Sequence, residues 1–574
     1  MTGGDIICST LGQLGVTTVF GLPGTQNVPL FESLRRSKLR TVVSTHELAA
    51  GFMAAGYYRA SGRPAVVTTI PGPGFTYILT ALAEARHDSA AVLYLVVVPA
   101  KLPGNRFRLQ QLDQADIVRP LVKEVFSIDE PAPAASILAR AWQCALSGEP
   151  GPVYVEISDD VISQPASGST QITGLPSLQS SMPDDQAIES AMGAISSARR
   201  PLLMLGQGAA GVAVKVRELV GLMSCPVVST CSGRGIVAES DSRLVCGDFS
   251  GWAVKAVNEL VEQSDLVLVL GCKFTHNGSS GFRLSLPAEK LIHVDASSEV
   301  LGANYPASHE ICWDVAEFVD RLVAAIRESS QFASDWSPAE IEDLRTRMAE
   351  LRRASFSNPP ELIGTDDRDI QSFFHALQRV IPQDAIVVTD SGLHQQLVRR
   401  FYRVETTRGL IVPSDYQSMG FGLPAAIGAA IAAPERKVFV VVGDGGMLMS
   451  AMELLTAARE NLDLTVIVFN DGGYGQIRRQ QIADYGRGHG VDIPSPDFAL
   501  LAQSLNIAYL RLSGDVEAML RTCLRTKGVK LLEVALNLGA GGHSGRIGTI
   551  LREEVKRRVG QRGIAWLKSL LGRT

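Results

Sequence analysis

Asp444 and Asp471 each stand just past an apolar run and just before glycine, in VFVVVGDGG (438–446) and LTVIVFNDGG (464–473). Two carboxylates of this kind suit a small hard cation. Mg²⁺ prefers an octahedron of oxygens and usually leaves positions for phosphate. The intervening MLMSAMELLTAARE (447–460) reads as a helix. Its N-terminal amides and positive dipole end attract an anion such as a diphosphate. Gly443, Gly445 and Gly446 leave room for close approach, and in GGYG (472–475) Gly473 can turn a carbonyl inward. A lone Gly-Asp-Gly is most often a turn. The second strand with the same ending points instead to a metal–diphosphate clamp.

Such a clamp needs strands that deliver both acids to one edge, and the chain is patterned for that. Short apolar strands alternate with helical segments, the mark of parallel sheets covered by helices. Ligands bind such sheets at the carboxyl ends of the strands. The expectation is an α/β protein of three doubly wound parallel-sheet domains. The first spans 1–165, with TTVFGL, PAVVTTI, AVLYLVVV and GPVYVEI. The second spans 185–330, with PLLMLGQG, CPVVST, DLVLVLGCK and KLIHVDA. The third spans 365–540, with AIVVTDSG, KVFVVVGDGG, LTVIVFND and KLLEVAL. The polar stretch 167–185 reads as a linker, 337–367 as a connecting helix and loop, and 541–574 as a basic tail.

Composition excludes several classes. With 574 residues, a net charge of −5, 46% hydrophobic and 20% charged residues, the chain offers no polyanion-binding surface, so nucleic acid is not an expected partner. Its eight cysteines form no CxxC pair, which argues against a zinc knuckle or a disulfide framework. The first residues lack a basic segment leading into an apolar core, and no apolar run is long enough to span a bilayer. The expectation is a cytoplasmic protein.

The clamp resembles the thiamine-diphosphate motif of the 2-oxo-acid decarboxylases and acetohydroxyacid synthases, and the resemblance extends over roughly residues 3 to 540. It implies a pyrimidine-binding N-terminal domain, a central domain and a diphosphate-binding C-terminal domain, in a homodimer or homotetramer with active sites between subunits. It makes Asp444, Asp471 and the Gly473 carbonyl ligands of Mg²⁺, with Asp471 standing where asparagine is usual. It makes Gly443, Gly445, Gly446 and Tyr474 part of the thiamine diphosphate site. In VFGLPGTQN and STHELAAGF, Gly24 and Thr25 belong to the cofactor site and Glu47 matches the catalytic glutamate. A carboxyl there favours the imino tautomer of the aminopyrimidine, which then takes the thiazolium proton. In YQSMGFG, Met419 matches the apolar wedge beneath the cofactor, and Gln417 replaces a usual glycine whose carbonyl accepts from the 4′-amino group. DSGLHQQ supplies Gly392, His394 and Gln395 to the diphosphate.

Substrate-facing positions depart from both branches of the family. Thr25 stands where pyruvate decarboxylases carry aspartate, Pro71 where benzoylformate decarboxylase carries histidine, and no paired histidine accompanies Gln110. A missing general acid costs about 10²–10⁴-fold in protonation, which favours transfer of the acyl carbanion to a second carbonyl. Leu109 and Gln110 match the synthase Phe-Gln pair, so Gln110 is a catalytic candidate. Asn277 falls where synthases carry the arginine that reads the acceptor's carboxylate, and Gln480 where they carry a pocket-shaping tryptophan. Arg478 or Arg479 could supply charge from another side. The reading is a carboligase that decarboxylates pyruvate or a related 2-oxo acid and joins it to a carbonyl acceptor, other than in the ordinary acetolactate reaction. Alternatives are an acetolactate synthase, a non-coupling decarboxylase, a flavin-dependent pyruvate oxidase and a cofactor-binding pseudoenzyme subunit. In the central block LMLGQGAAG and Lys273 echo FAD-contacting positions, and FAD is not favoured. In the tail, Ile564, Leu567, Leu570 and Leu571 recur at helical spacing, but Gly560 and Gly563 interrupt them, so membrane contact is not expected.

Overall fold

The computed structural model describes residues 1–100, 108–166, 185–328, 334–356 and 358–539. The linker read at 167–185 lies outside them except for its last residue, and the basic tail lies wholly outside. In the first sheet the strands run Arg40–Val43, Thr18–Gly21, Ala65–Thr69, Val92–Val98, Val153–Ser158 and Val125–Ile128 from edge to edge, and every pairing is parallel. The second is likewise parallel, ordered His309–Cys312, Leu291–Asp295, Leu266–Leu270, Pro201–Leu205, Val227–Ser229 and Leu244–Cys246. In the third, Val438–Gly443 lies between Ile386–Thr389 and Leu464–Asn470, and Lys530–Asn537 follows. Among the described residues, Glu361–Leu362 is the one strand that pairs antiparallel there. Central strands buried on both faces must be continuous apolar runs, as VFVVV and LTVIVF are.

Two helices join the outer domains. Glu47–Ser61 and Gly422–Ala432 are alanine-rich and buried almost all round, the pattern of a helix enclosed on every side. The first begins at His46, whose Nδ1 accepts from Leu48 N at 3.1 Å, and ends at Gly62 in the left-handed region (φ 73°). They touch through glycine: a side chain on Gly428 would begin 1.9 Å from Met53 O, and one on Gly56 2.1 Å from Ala425 O. One apolar core therefore runs from the first sheet through this pair into the third. The central domain has its own core, completed by Ile341 and Met348 of the helix Pro338–Ala354. That helix starts at a Ser337–Glu340 capping box.

Candidate active site

At the carboxyl edge of the third sheet a cleft of about 120 Å³ is lined by Gly392, His394, Met419, Gly443, Asp444, Gly445, Gly446, Asp471, Gly473 and Tyr474. All ten are residues the sequence placed around the metal and the thiamine diphosphate. Asp444 opens the helix Asp444–Ser450, with Gly443 as its N-cap. Its Oδ2 accepts from Gly473 N at 2.9 Å and Ser495 Oγ at 2.8 Å. Burial raises the Asp444 carboxyl's pKa against these hydrogen bonds. Burial pushes Asp471 up to about 7, and the charge of Asp444 adds to the rise. Asp471 Oδ1 and His394 Nε2 are buried without a hydrogen-bond partner. Burial also lowers His394 to about 4, so its ring is neutral at neutral pH. An acceptor and a ring nitrogen left without partners, with two mutually repelling acids, fit a cation and an anionic oxygen. Among the described residues no three His, Cys, Asp or Glu side chains cluster as a metal site on their own. A Mg²⁺ here would draw remaining oxygens from a diphosphate, its usual habit.

Above the cleft the segment 413–420 makes a strained turn. Gln417 has φ +63°, a conformation that explains why glycine is usual at this position. Its side chain compensates by donating to Pro413 O and Ser414 O, both at 2.7 Å. Gln395, counted with the diphosphate residues, is instead buried and donates to Pro413 O at 3.0 Å, supporting this turn from below. Asp390, pushed up to about 7 by burial, accepts from Ser391 N and Gly420 N.

The N-terminal candidates gather at the carboxyl edge of the first sheet. Half-buried Glu47 is the first residue of its helix, and its Oε1 lies 3.4 Å from where a side chain on Gly74 would begin. Gly24 is packed onto Ile70, beside the buried Pro71. Gln110, also at positive φ (59°), lies against Gly72 and receives a hydrogen bond from Gln26 Nε2. Thr25 and the exposed Leu109 line a shallow pocket of about 530 Å³ with Gln26, Arg108, Asp159 and Asp160. None of these N-terminal residues lines the C-terminal cleft of the same chain.

Asn277 and Gln480 stand apart from both groups. Asn277 lines a cavity of about 370 Å³ where the three domains meet and donates to Ser414 O at 3.0 Å. Gln480 is exposed on the helix Gly475–Tyr485. Arg478 donates to Asp471 O and Gly472 O and pairs with Asp492. Arg479 donates to Leu538 O and Asn358 O. Both arginines are thus held by the backbone. In the three-domain cavity Lys273 pairs with Glu149 at 2.6 Å. A side chain on Gly206 would begin 1.9 Å from Gly271 O. Neighbouring loops thus pack closely at these glycines, which line the same cavity as Lys273. Sequence reasoning missed Ser495, Gln26 and Asp390 because each acts through a loop partner remote in the chain or through backbone amides, and no local motif marks them.

Three matches to known families follow the same division. Residues 1–117 match the thiamine pyrophosphate enzyme N-terminal TPP binding domain, 188–322 its central domain and 390–534 its C-terminal TPP binding domain. A probable 2-ketoarginine decarboxylase of Pseudomonas aeruginosa is 31% identical over 541 residues, covering 93% of this chain and 94% of that protein. The chain belongs to the thiamine-diphosphate-dependent, acetolactate synthase-like enzyme family. The large subunit of acetolactate synthase isozyme 1 from Escherichia coli (strain K12) is 29% identical over 542 residues, covering 93% and 94% of the two chains. The acetolactate synthase large subunit of Mycobacterium tuberculosis is 31% identical over 528 residues, covering 89% and 84%. Among the described residues no helix is long and apolar enough to cross a membrane.

Proposed function

We propose that this protein is a thiamine-diphosphate- and Mg²⁺-dependent carboligase that decarboxylates pyruvate or a related 2-oxo acid and joins the acyl unit to a neutral carbonyl acceptor. Bound thiamine diphosphate would supply the electron sink for decarboxylation. Asp444, Asp471 and the Gly473 carbonyl would hold the metal. The Gly443–Gly446 helix start and His394 Nε2 would hold the diphosphate. Met419 would support the rings, and Glu47 would exchange a proton with the aminopyrimidine nitrogen.

One observation carries the choice of carboligation. Thr25, Gln26, Pro71, Leu109 and Gln110, the candidates described at the N-terminal edge besides Glu47, carry no titratable proton donor. The pocket's two acids both accept hydrogen bonds, Asp159 Oδ1 from Ala100 N and Asp160 Oδ1 from Ser158 Oγ and Val161 N, and as carboxylates they serve as acceptors rather than proton donors. An acceptor carbonyl then competes with a slow protonation. Neutrality of the acceptor rests on Arg478 and Arg479 being held by backbone carbonyls; Asn277, which stands apart from both edges and donates to Ser414 O, does not bear on it.

A second reading has its own support. Asp159 and Asp160 beside Thr25 and Gln26 would suit a donor with a cationic tail, and the 2-ketoarginine relative points the same way. Mass analysis of products from a panel of 2-oxo acids, one bearing a guanidinium group, with and without aldehyde acceptors, separates the readings. Coupled products from neutral acceptors support carboligation. Free aldehyde as the sole product whatever the acceptor would overturn it, and efficient acetolactate formation from pyruvate alone would make this an acetolactate synthase.

No N-terminal candidate lines the C-terminal cleft of the same chain, so the proposal includes a two-fold homo-oligomer with sites between subunits. Exposed Leu448, Met449, Met452 and Leu455, shortly after Asp444 in the chain, give an apolar face for that contact.

A further inference from the structure

Two buried glutamates cross between the outer domains in opposite directions. Glu453, on the helix Glu453–Arg459 that follows the Asp444 helix, is 1% exposed. Its Oε1 accepts from Thr45 N at 3.0 Å and from Thr45 Oγ1, and its Oε2 from Thr456 Oγ1 at 2.7 Å. Thr45 is two residues before Glu47, in the bend between the strand Arg40–Val43 and the helix that Glu47 opens. The same helix grips that strand's end again, with Arg459 donating to Val43 O. Glu460, just beyond it, pairs with Arg40 at 2.7 Å.

The reverse crossing starts from Glu84, on the helix Pro73–His87 of the N-terminal domain, which is fully buried. Its Oε2 accepts from Ser418 N at 2.9 Å. Ser418 lies between Gln417, at positive φ, and Met419, which lines the C-terminal cleft.

We propose that Glu453 and Glu84 are positioning residues, each a buried carboxyl from one outer domain that fixes, through a backbone amide, the cofactor-facing segment of the other. The proposal rests on the thiamine diphosphate reading of both segments. Buried polar side chains are hydrogen-bonded as a rule, so the bonds alone do not make the case. What does is the place each one lands: on the bend that sets where Glu47 begins its helix, and on the amide between the strained Gln417 and the wedge residue. Removing either carboxyl leaves a backbone amide without its acceptor, part-buried at Thr45 and buried at Ser418, and frees a segment whose placement the chemistry needs to within a fraction of an ångström. Glu84 is also held largely protonated, pushed up to about 8 by burial and by the charge of Asp88. A neutral glutamine can take its part with little change. Glu453 takes three donors at once, and glutamine can keep the Thr45 amide while a hydroxyl reverses its bond.

Three readouts test this on the full-length protein: amide hydrogen exchange of residues 43–48 and 417–420 without cofactor, calorimetric thiamine diphosphate binding with Mg²⁺, and NMR of C2-proton exchange in the bound cofactor. Glu453→Ala should speed exchange at Thr45 and slow C2-proton exchange by ~10²-fold with little loss of cofactor affinity, and Glu453→Gln should restore most of the C2 rate. Glu84→Ala should release the Ser418 amide and weaken cofactor binding about tenfold, and Glu84→Gln should not. Normal C2 exchange in Glu453→Ala, or no rescue by either glutamine, would overturn the proposal. Should an alanine variant fail to fold, Thr45→Val, which removes only a hydroxyl donor, must still slow C2 exchange. Glu47→Gln is the control: unchanged C2 exchange in that variant would overturn the catalytic reading of Glu47 rather than the positioning of its loop.

Discussion

Two carboxylates in one buried cleft repel one another until a cation stands between them, and Asp471, pushed up to about 7, records that repulsion together with burial. Asp444→Ala should therefore abolish Mg²⁺-dependent cofactor binding, while Asp471→Asn, which keeps an oxygen and drops a charge, should preserve it. Titration calorimetry with and without Mg²⁺ checks both, and tight metal-free binding by Asp444→Ala would show that the clamp is misassigned. A second carboxyl carries a pH signature. Glu84 is held at about 8, above its ordinary 4.5. Its folded-state proton is retained after the unfolded chain has lost its own, so its contribution to stability is fully present below pH ~4.5 and is lost as pH rises to ~8. Arg59 opposes this rise, and Asp88, itself next to Asp415, reinforces it. Relative to wild type, Glu84→Gln should gain thermal stability progressively between those limits and no further above them. Parallel curves for the two proteins in thermal melts across pH would refute the buried-proton assignment. At this scale the metal acids were legible because an acid after an apolar run is a local pattern. Gln417 was legible as an oddity, and its positive φ supplies the reason. Asn277 was placed by counting along a glycine-rich loop, and its hydrogen bond to Ser414 O, far off in the chain, is something no local pattern contains.

Elements were more legible than contacts between them. Alternating apolar runs and helical stretches give parallel sheets almost directly, since strands buried on both faces have no polar alternation to read. Apolarity all round marked Glu47–Ser61 and Gly422–Ala432 as enclosed helices, but not that each encloses the other. That pairing depends on glycines whose spacing resembles ordinary helix tolerance until the partner's backbone is seen 1.9 Å from a would-be side chain. Gly428→Ala should therefore force the helices apart and destabilise the protein by about 1–3 kcal/mol or more, the usual cost of overpacking. Gly12→Ala, with nothing within 4 Å, should not destabilise it. Chemical denaturation of the two variants side by side checks this, and equal stability would mean that the helix contact relaxes at little cost. Cofactor affinity should fall in Gly428→Ala as well, because the helix carrying Gly428 begins three residues after Met419.

At the scale of the molecule, the arrangement of half-sites makes the sharpest claim. Met419, Asp444 and Asp471 line one cleft, Glu47 and Gln110 belong to another edge, and no residue of the second lines the first. If a two-fold partner supplies the missing half, each chain contributes Glu47 to one site and Asp444 to the other. Glu47→Gln and Asp444→Ala chains should then each be inactive alone but complement one another. In a mixed dimer one site collects both substitutions and the other collects none. Co-expression at equal levels should give roughly a quarter of wild-type activity, since half the dimers are mixed and each has one intact site. Purifying the mixed dimer through two different tags should raise that to about half. If instead both halves of a site came from one chain, each chain would carry one lesion in its own site and every combination would be dead. The tagged mixed dimer therefore decides between the two assemblies without knowledge of the acceptor, because any 2-oxo acid that releases carbon dioxide with the wild type suffices. Mutating the exposed face should act one step earlier: Met449→Glu with Met452→Glu would place charges where the partner packs, dissociate the dimer in analytical ultracentrifugation and abolish activity while the monomer keeps its melting transition. Full activity from a monomer of that double variant would mean that a single chain completes its own site.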